Sequence, residues 1–528
     1  MFFQATLSSI LRRKTHGSFR TITSIAVDNN PLKNYESFSP KLRATISQLD
    51  QIAPRFELNK GDIEILNHPA KFYETLKEKI NNANDRIFLS SLYIGKSQDD
   101  LINCISKNLK SKPNLKVYIL TDYLRSTREE PENCPAKLLS KLTKEFGNHR
   151  VDIRFYHTPN LKGFAKMLIP KRLNEGWGLQ HMKIYGFDNE VMLSGANLSQ
   201  DYFTNRQDRY YLFKDTNLSN YYFNLQNTIS SISYKLVNAP SQKSGYYLDW
   251  PTSNNIFEPH LNTEKFITES TRLLLPVLKT HGGMFIDKYK TIDNKDKDDN
   301  KPESLADPPT IVYPVSQFTP LLKTDYSTEK PSILRLLSFL NSKTIKWYFT
   351  AGYFNMHPQI KRKLVESIAD GEVITASPKA NSFYKSKGIS YYLPEAYLYQ
   401  SKKFLESIDK NGKNSQIKLL EWQNGIVNTI KGWSYHAKGI WITNNDEEKP
   451  CITVIGSSNY TRRAYSLDLE TNAIIITKDE ELKTKMMEEV NNLKNFTKQL
   501  TLNDFETDEE RKINIGVKLA AHLLRDML

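Results

Sequence analysis

The sequence contains one unusual pattern twice, and this duplication limits the folds that the chain can adopt. In each copy a Gly-Trp pair precedes a His-x-Lys pair, and a short segment of small residues then ends in Asn. An acidic residue follows each Asn after 11 positions. The two sets are Gly176, Trp177, His181, Lys183, Asn197 and Asp208, and Gly432, Trp433, His436, Lys438, Asn459 and Glu470. Such an internal repeat predicts that the chain folds as two copies of one structural unit.

Buried strands and amphipathic helices alternate in both copies. Residues 86–95 and 345–354 have the apolar content of buried strands, and a helical pattern precedes each of them. Further helix and strand patterns follow in the same order in the two copies. Strands that alternate with helices predict βαβ units and a mostly parallel or mixed sheet. The predicted fold class is therefore α/β.

The boundaries of the two units follow from changes in composition. Residues 288–309 are highly charged, poor in apolar residues and end in prolines, which is typical of a linker or a surface loop. We therefore predict a first unit over residues 60–280, a linker or surface loop over 281–310 and a second unit over 311–500. The remaining residues, 501–528, are predicted to form a C-terminal helix.

The N-terminal segment has the composition of a targeting signal. Its basic residues are Arg12, Arg13, Lys14 and Arg20, whereas the first acidic residue is Asp28. An acid-free, amphipathic start that contains Arg and Ser is typical of a mitochondrial transit peptide. We therefore predict a transit peptide over residues 1–30 and a mitochondrial location.

Composition also narrows the class of protein and its partners. Lys and Arg number 73 against 59 for Asp and Glu, and the resulting net charge of +14 favours an anionic partner. Nucleic acid, phospholipid headgroups and phosphorylated substrates all meet this condition. Three cysteines in 528 residues are too few for a disulfide scaffold or a zinc site built from cysteines. The sequence contains no run of about 18 mainly apolar residues, which argues against a polytopic membrane protein.

The duplicated residues together predict a site for a phosphodiester. Residues i and i+2 of a strand share a face, so each His points to the same side as its Lys, and a pseudo-twofold fold brings both pairs together. The lysines can neutralise phosphate oxygens, one imidazole can attack phosphorus and the other can protonate the leaving oxygen. Asp208 and Glu470 are placed to accept a hydrogen bond from the two rings. The candidate catalytic residues from the repeat are His181, Lys183, Asn197, Asp208, His436, Lys438, Asn459 and Glu470.

These motifs resemble those of the phospholipase D superfamily, whose mark is a duplicated His-x-Lys-(x)4-Asp. His181, Lys183 and Asp188 match the first copy in full, whereas Thr443 stands where the second copy usually has Asp. The resemblance implies two phospholipase D-like α/β/α repeats, which form a pseudo-twofold, bilobal unit with the active site between them. It further implies that the histidines and lysines are catalytic, and it adds Asp188, the Asp of the motif, to the candidate catalytic residues in a supportive role.

Within that superfamily the chain looks most like the eukaryotic mitochondrial phosphatidylglycerophosphate synthases. Residues 181–199 and the segment Arg125-Ser-Thr-Arg128 carry this similarity. It implies transfer of a phosphatidyl group from CDP-diacylglycerol to glycerol 3-phosphate, with release of CMP, through a phosphatidyl-histidine intermediate. This reaction is the committed step towards phosphatidylglycerol and cardiolipin. Arg125, Arg128, Lys96 and Ser97 lie on loops after predicted strands and are the candidates for binding substrate phosphates.

We expect neither a required cofactor nor a bound metal, because the motifs supply no cluster of carboxylates or thiols for an ion. Any stimulation by divalent cations would act through the substrate. Residues 164–172 mix apolar and basic side chains, which suits contact with an anionic membrane surface. Residues 513–528 are also amphipathic, although packing on the core is the preferred interpretation there. The chain is thus predicted to be peripheral on the mitochondrial inner membrane, with no nucleic acid as partner.

Other functions remain open from the sequence alone. A phospholipase D-type enzyme that processes nucleic-acid ends would also have a basic groove lined with aromatic residues. Synthesis of cardiolipin or phosphatidylserine is a further alternative, because the acceptor site is not legible in the sequence. A catalytically inactive protein that only binds anionic lipid is disfavoured by the two intact His-Lys pairs. The sequence does not indicate an oligomeric state.

Overall fold

Two mixed sheets of nine strands each form the framework of the protein. The computed structural model describes residues 35–130, 133–163, 168–171, 173–278 and 307–523, and all counts refer to these. The first sheet contains β2 (Ile63–Leu66), β3 (Arg86–Ser90), β4 (Lys116–Asp122), β5 (Val151–Tyr156), β6 (Ile184–Phe187), β7 (Glu190–Ser194), β9 (Tyr210–Phe213), β10 (Tyr234–Asn238) and β11 (Tyr246–Asp249). The second contains β1 (Phe56–Leu58), β12 (Thr310–Gln317), β13 (Lys346–Ala351), β14 (Asp370–Ala376), β15 (Ile417–Trp422), β17 (Lys438–Thr443), β18 (Pro450–Gly456), β19 (Glu470–Thr477) and β20 (Thr497–Leu500).

The strand order shows that the two sheets are repeats of one unit. The first sheet has the order β11-β10-β5-β4-β3-β6-β7-β9-β2, and the second has β1-β12-β19-β18-β17-β13-β14-β15-β20. Read in opposite directions, eight successive strands correspond one to one, with β3 matching β13 and β6 matching β17. A short parallel pair, β8 (Arg206–Gln207) with β16 (Ser434–Tyr435), connects the two halves. The predicted α/β class and the pseudo-twofold duplication are therefore confirmed.

Helices cover the outer face of each sheet and also pack between the sheets. They are α1 (Pro40–Asp50), α2 (Pro69–Asn82), α3 (Asp99–Ser111), α4 (Tyr123–Ser126), α5 (Pro135–Phe146), α6 (Gln200–Thr204), α7 (Thr216–Ser230), α8 (Thr263–Leu278), α9 (Glu329–Leu337), α10 (Pro358–Val365), α11 (Leu393–Lys410), α12 (Glu480–Lys494), α13 (Asp504–Thr507) and α14 (Ile515–Leu523). α2 shows the reason for this packing, since Phe72, Leu76 and Ile80 recur at every fourth position and are all buried.

One apolar cluster unites the two halves. It joins side chains of the first sheet, such as Ile184 and Tyr211, to side chains of the second, such as Trp441 and Ile475. A fully buried ion pair crosses the same interface, with Arg209 Nε 2.8 Å from Glu489 Oε1 of α12. The two repeats are thus packed directly against each other through apolar contacts and an ion pair.

The segment before the first repeat belongs to the second sheet. β1 pairs with β12 in antiparallel register, Phe56 opposite Val312. The hydroxyl of Tyr313 in β12 donates to Asp50 at the end of α1, at 2.8 Å. The segment before the first repeat therefore supplies the edge strand of the second sheet. Local sequence patterns do not predict this pairing.

The C-terminal region needs a correction. Within residues 501–523 the structure has two short α-helices, α13 and α14, and a 3-10 turn over Glu509–Arg511, where one helix was predicted over 501–528. Asp508 ends the first of them and turns its carboxylate to the backbone N–H of Glu510. Asp and Asn side chains compete for backbone N–H groups in this way and so interrupt helices. No helix in the described part of the chain is long and apolar enough to cross a membrane. The predicted transit peptide and residues 281–306 of the predicted linker lie outside the described residues.

Candidate active site

Both His-x-Lys pairs lie where the parallel strands of the two sheets end. β3, β4 and β5 run parallel in the first sheet, as do β13, β14 and β15 in the second. Lys183 directly precedes β6, whose first residue pairs with Ser90 at the end of β3. Lys438 begins β17 and pairs with Ala351 at the end of β13. The carboxyl edge of parallel strands is the usual place for a ligand site in α/β sheets.

Each histidine is held by the backbone of the opposite repeat. The N–H of His181 donates to the carbonyl of Leu469 at 2.9 Å, and the N–H of His436 donates to the carbonyl of Gln207 at 2.8 Å. Leu469 and Gln207 directly precede Glu470 and Asp208, the acids that lie 11 residues after the Asn of each repeat. The crossing of the two chains therefore brings each acid to the histidine of the other half.

The acids orient the imidazoles in two crossed pairs. Nδ1 of His181 lies 2.8 Å from Glu470 Oε1, and Nδ1 of His436 lies 2.6 Å from Asp208 Oδ2. The sequence pattern indicated that these acids accept from the rings, but it did not indicate that the pairs cross between the repeats. A hydrogen bond at Nδ1 leaves Nε2 as the reactive nitrogen of each ring.

Two buried lysines lie in this centre. Lys183 and Lys438 are about 1% exposed, and each Nζ donates to the carbonyl of its own histidine at 2.6 Å. Burial lowers the pKa of Lys183 to about 7 and that of Lys438 to about 8. Burial, and to a smaller extent the charge of the neighbouring lysine, also holds the pKa of each histidine well below the usual range. Both rings are therefore neutral without substrate.

Burial affects the acids in the opposite direction. It raises the pKa of Glu470 to about 7, against the effect of Lys183, and it raises the pKa of Asp208 against the effect of Lys438. An anionic substrate would enter a centre in which cations and acids balance closely. Its charge would favour the protonated forms of the histidines and lysines, because opposite charges stabilise each other strongly in a buried site.

The two asparagines of the repeat differ in their surroundings. The Nδ2 group of Asn197 donates to the hydroxyl of Tyr202 at 3.2 Å, and that hydroxyl lies 3.4 Å from Nε2 of His436. Asn459 is largely buried, and its Oδ1 has no hydrogen-bond partner among the described residues. The structure thus joins Asn197 to the centre through Tyr202, whereas for Asn459 it shows burial without a contact to either histidine among the described residues.

Two tyrosines at this centre were missed in the sequence. The rings of Tyr202 and Tyr353 stand edge-on to the imidazole of His436, at centroid distances of 5.2 and 5.3 Å. The guanidinium of Arg206 lies 4.4 Å from the ring centroid of Tyr202.

Ala464 occupies the position equivalent to Tyr202 in the second repeat, so the duplication gives no signal for Tyr202. Tyr353 does have a counterpart, because the pairing of β3 with β6 and of β13 with β17 places Tyr93 at the equivalent position of the first repeat. The repeat therefore contained a signal for Tyr353.

Removing the hydroxyl of Tyr202 is expected to slow turnover while the ring still packs. We expect Tyr202→Phe to lower kcat by about tenfold, the equivalent of one hydrogen bond of about 1.4 kcal/mol at the reacting imidazole. Steady-state kinetics at several pH values checks this, with Tyr247→Phe at an exposed site as the matched control. An unchanged kcat would show that the hydroxyl has no part in positioning His436.

Asp188 requires a correction, because it is not part of the catalytic centre. It lies at the far end of β6, where its carboxylate accepts from the backbone N–H groups of Asn84, Asp85 and Arg86 at 2.8 to 2.9 Å. In the second repeat the hydroxyl of Thr443 accepts from the N–H of Lys346 at 2.9 Å. Both residues hold the start of the neighbouring strand, and Thr443 does so with one hydrogen bond instead of three.

This difference predicts unequal effects of substitution. Asp188→Ala would leave three backbone N–H groups without their acceptor, so we expect it to lower the stability by roughly 2 kcal/mol or more. Thr443→Ala would remove one hydrogen bond and is expected to cost about 1 kcal/mol. Urea unfolding measures both values. Equal losses in the two variants would contradict this account of the motif's asymmetry.

The four predicted phosphate-binding residues line a single cavity. This front cavity, of about 540 Å³, is lined by Lys96, Ser97, Arg125 and Arg128 together with residues of α6. Arg125 lies over the ring of Tyr93 at 4.1 Å, and Arg128 is paired with Glu175 at 2.8 Å. Tyr202, which contacts His436, is also part of α6, so this helix connects the lining of the front cavity to the catalytic centre.

Known proteins match this chain in both repeats. The family model described as "Cardiolipin synthase, PLD-like domain" matches residues 76–227 and 336–494, one stretch in each repeat. A CDP-diacylglycerol–glycerol-3-phosphate 3-phosphatidyltransferase of Saccharomyces pastorianus is 53% identical and covers 89% of this chain and 88% of its own. A Gallus gallus protein of that name, described as mitochondrial, is 30% identical over 93% of this chain and 88% of its own.

A solved structure supports the fold. The phosphatidylserine synthase of Haemophilus influenzae superposes with a TM-score of 0.65 over 92% of this chain and 100% of its own, at 20% sequence identity. At that identity the likeness concerns the architecture alone. The matches in sequence cover both repeats and nearly the whole length of the relatives. The chain therefore belongs to the CDP-diacylglycerol–glycerol-3-phosphate 3-phosphatidyltransferase family, within the phospholipase D superfamily.

Proposed function

We infer that the chain transfers the phosphatidyl group of CDP-diacylglycerol to glycerol 3-phosphate, forming phosphatidylglycerol phosphate and CMP. The crossed pairs of His181 with Glu470 and His436 with Asp208 carry this inference, together with the two lysines between them. This arrangement offers two reactive imidazole nitrogens and two cations for the oxygens of one phosphate. The family to which the chain belongs supplies the substrate pair.

His181 is the proposed nucleophile. Its ring is neutral and is more open than that of His436, with side chains exposed by 11% and 4%. Nε2 of His181 attacks the phosphorus that bears diacylglycerol, and the bond from that phosphorus to the CMP oxygen breaks. His436, protonated once the anionic substrate is bound, gives its proton to that oxygen, so CMP leaves and a phosphatidyl-histidine remains.

The second step reverses these roles. A hydroxyl of glycerol 3-phosphate gives its proton to His436 and attacks the same phosphorus, and the bond to Nε2 of His181 breaks. Both histidines return to their starting forms, so protons and charge balance over the cycle. Lys183 and Lys438 stabilise the extra negative charge on the phosphate oxygens in both transition states.

The front cavity is proposed to hold the phosphate groups that lie away from the reacting phosphorus. Lys96, Arg125 and Arg128 come from the segments after β3 and β4 and line one cavity, and α6 links this cavity to His436 through Tyr202. His436 exchanges a proton with CMP and with glycerol 3-phosphate, so CMP leaves and glycerol 3-phosphate enters on its side. Both are phosphate monoesters, for which Arg and Lys donors are well suited.

The activity can be tested directly. Purified protein is incubated with CDP-diacylglycerol and radiolabelled glycerol 3-phosphate, and lipid-soluble label and CMP are measured. The expected result is equal amounts of both products, and no label in lipid when serine replaces glycerol 3-phosphate. Label entering lipid without CMP release would contradict the reaction.

A mitochondrial location is supported by the names of several relatives and by the N-terminal composition. We further propose that the protein is peripheral on the inner membrane. Of the basic-apolar stretch 164–172, the described residues include Leu168, which is 77% exposed, and Lys171, whose Nζ donates to the carbonyl of Glu130. Residues 164–167 and 172 lie outside the described residues.

Chelation and extraction test the roles of metal and membrane. Among the described residues, no group of three or more His, Cys, Asp and Glu side chains could hold a metal ion. We expect activity on detergent-dispersed substrate to survive chelators, and the protein to leave membranes in carbonate or high salt, since its contacts would be basic and amphipathic. Loss of activity that a stoichiometric metal restores, or resistance to carbonate, would contradict the proposal.

A further inference from the structure

A second cavity lies on the outer side of the second repeat. This rear cavity, of about 500 Å³, lies between α10 and α11 and is bordered by α14. Its cationic lining comes from three elements and consists of Lys361, Arg362, Lys403 and Arg462. Met356 and Tyr399 add apolar surface. The phosphatidyl transfer described above makes no use of this cavity.

Two parts of the rear cavity's lining are the pseudo-symmetric equivalents of parts of the front cavity, while α10 and α11 supply the rest. The loop after β13 corresponds to the loop after β3, and each is fixed in the same way. The N–H of Gly95 donates to the carbonyl of Leu198 at 2.8 Å, and the N–H of His357 donates to the carbonyl of Tyr460 at 2.8 Å. The front cavity is lined by the first loop and by residues after Asn197, and the rear cavity by the second loop and by residues after Asn459.

Cations outnumber acids around the rear cavity. Glu366 lies in its lining, and Glu406 is paired with Lys403 at 2.9 Å. Lys361 is half-buried, and its Nζ donates to the carbonyl of Lys403 at 2.8 Å. Burial, together with the charge of Lys403, lowers the pKa of Lys361 to about 8 against the effect of Glu406. An anion in the cavity would raise the pKa of Lys361 again, because a nearby negative charge favours the protonated amine.

We propose that the rear cavity is a second anion site that binds a phosphate ester, separate from the catalytic centre. Its volume suits a small phosphate ester, and Arg and Lys donors from α10 and α11 match phosphate oxygens. The phosphate can belong to a soluble ester or to a phospholipid headgroup, since both present the same group. The proposal goes beyond the phosphatidyl transfer and stands on the residues of the cavity itself.

Acylation of Lys361 provides a direct readout of occupancy. The full-length protein is treated briefly with an acetylating reagent near pH 7.5, and modification of each lysine is measured by peptide mass spectrometry. A bound phosphate that raises the Lys361 pKa by one unit would lower its neutral fraction, and hence its labelling, several-fold. Lys363 of the same helix, whose Nζ donates to Ser338 Oγ, is the matched internal control.

Two sets of probes distinguish the sources of the phosphate. Glycerol 3-phosphate and inorganic phosphate represent the soluble source, and vesicles of phosphatidylglycerol in phosphatidylcholine represent the lipid source, with pure phosphatidylcholine as the blank. Protection of Lys361 but not Lys363 by either set supports the site and assigns its source. Protection of neither lysine, or of both equally, would overturn it.

A variant separates this site from the proposed function. Arg362→Gln removes a cation from the cavity but no residue of the catalytic centre, so it should abolish the protection of Lys361. His181→Ala should keep the protection while it loses turnover. Protection that persists in Arg362→Gln at the same probe concentration would contradict the assignment of the cavity. Failure of the transferase assay would leave these results unaffected.

Discussion

Replacing His181 with alanine is expected to lower turnover roughly 10⁴-fold or more, the scale seen when a nucleophile is removed from a catalytic unit. Nε2 of His181 forms the bond to phosphorus, and nothing in the variant takes its place. Lys183→Ala should also abolish turnover, because the developing charge on the phosphate oxygens loses a buried cation. Release of CMP under saturating substrate measures both effects.

Controls separate chemistry from folding in this experiment. His149 is an exposed histidine far from the motif, and His149→Ala should retain full activity. The circular dichroism and thermal unfolding of His181→Ala should resemble those of the parent protein. Phosphorus made chiral with isotopes should keep its configuration, because two in-line displacements cancel. Inversion at phosphorus would exclude the phosphatidyl-histidine and replace it with direct transfer.

Much of the catalytic centre was predictable because the duplication repeats it. A single His-x-Lys pair carries little information, but two pairs with matching Gly-Trp, Asn and acid positions define a site. The repeat also predicted the pseudo-twofold α/β fold, since its strands and helices recur in the same order. The crossing of Glu470 to His181 was not predictable, because it depends on how the two sheets pack.

Features outside the repeat were predicted less well, for identifiable reasons. β1 pairs with a strand more than 250 positions away, and no local pattern records such a partner. Asp188 belongs to the same sequence motif as His181, but the two residues lie before and after the four-residue strand β6. Asp188 is therefore at the opposite end of the strand from the catalytic centre. Tyr202 contacts His436 from the short helix α6, and the second repeat has no tyrosine at the equivalent position.

The buried pair of Arg209 and Glu489 should be the strongest single link between the halves. Arg209 donates to both oxygens of Glu489, at 2.8 and 3.0 Å, and to the carbonyl of Val454 at 2.6 Å. Its guanidinium lies 3.8 Å from the ring centroid of Trp441. Arg209 also follows Asp208 directly, so the link fixes the acid that orients His436.

Arg209→Ala is therefore expected to destabilise the protein by about 3–5 kcal/mol, because it leaves the Glu489 carboxylate buried without its cation. Denaturant unfolding measures the loss, and activity should fall with it as Asp208 loses its support. Lys485→Ala is the matched control, since it breaks an exposed pair with Glu481 on the same helix and should change stability little. If the two variants unfolded at the same denaturant concentration, the halves would be held together mainly by the apolar cluster. The ion pair would then serve only to set the position of Asp208.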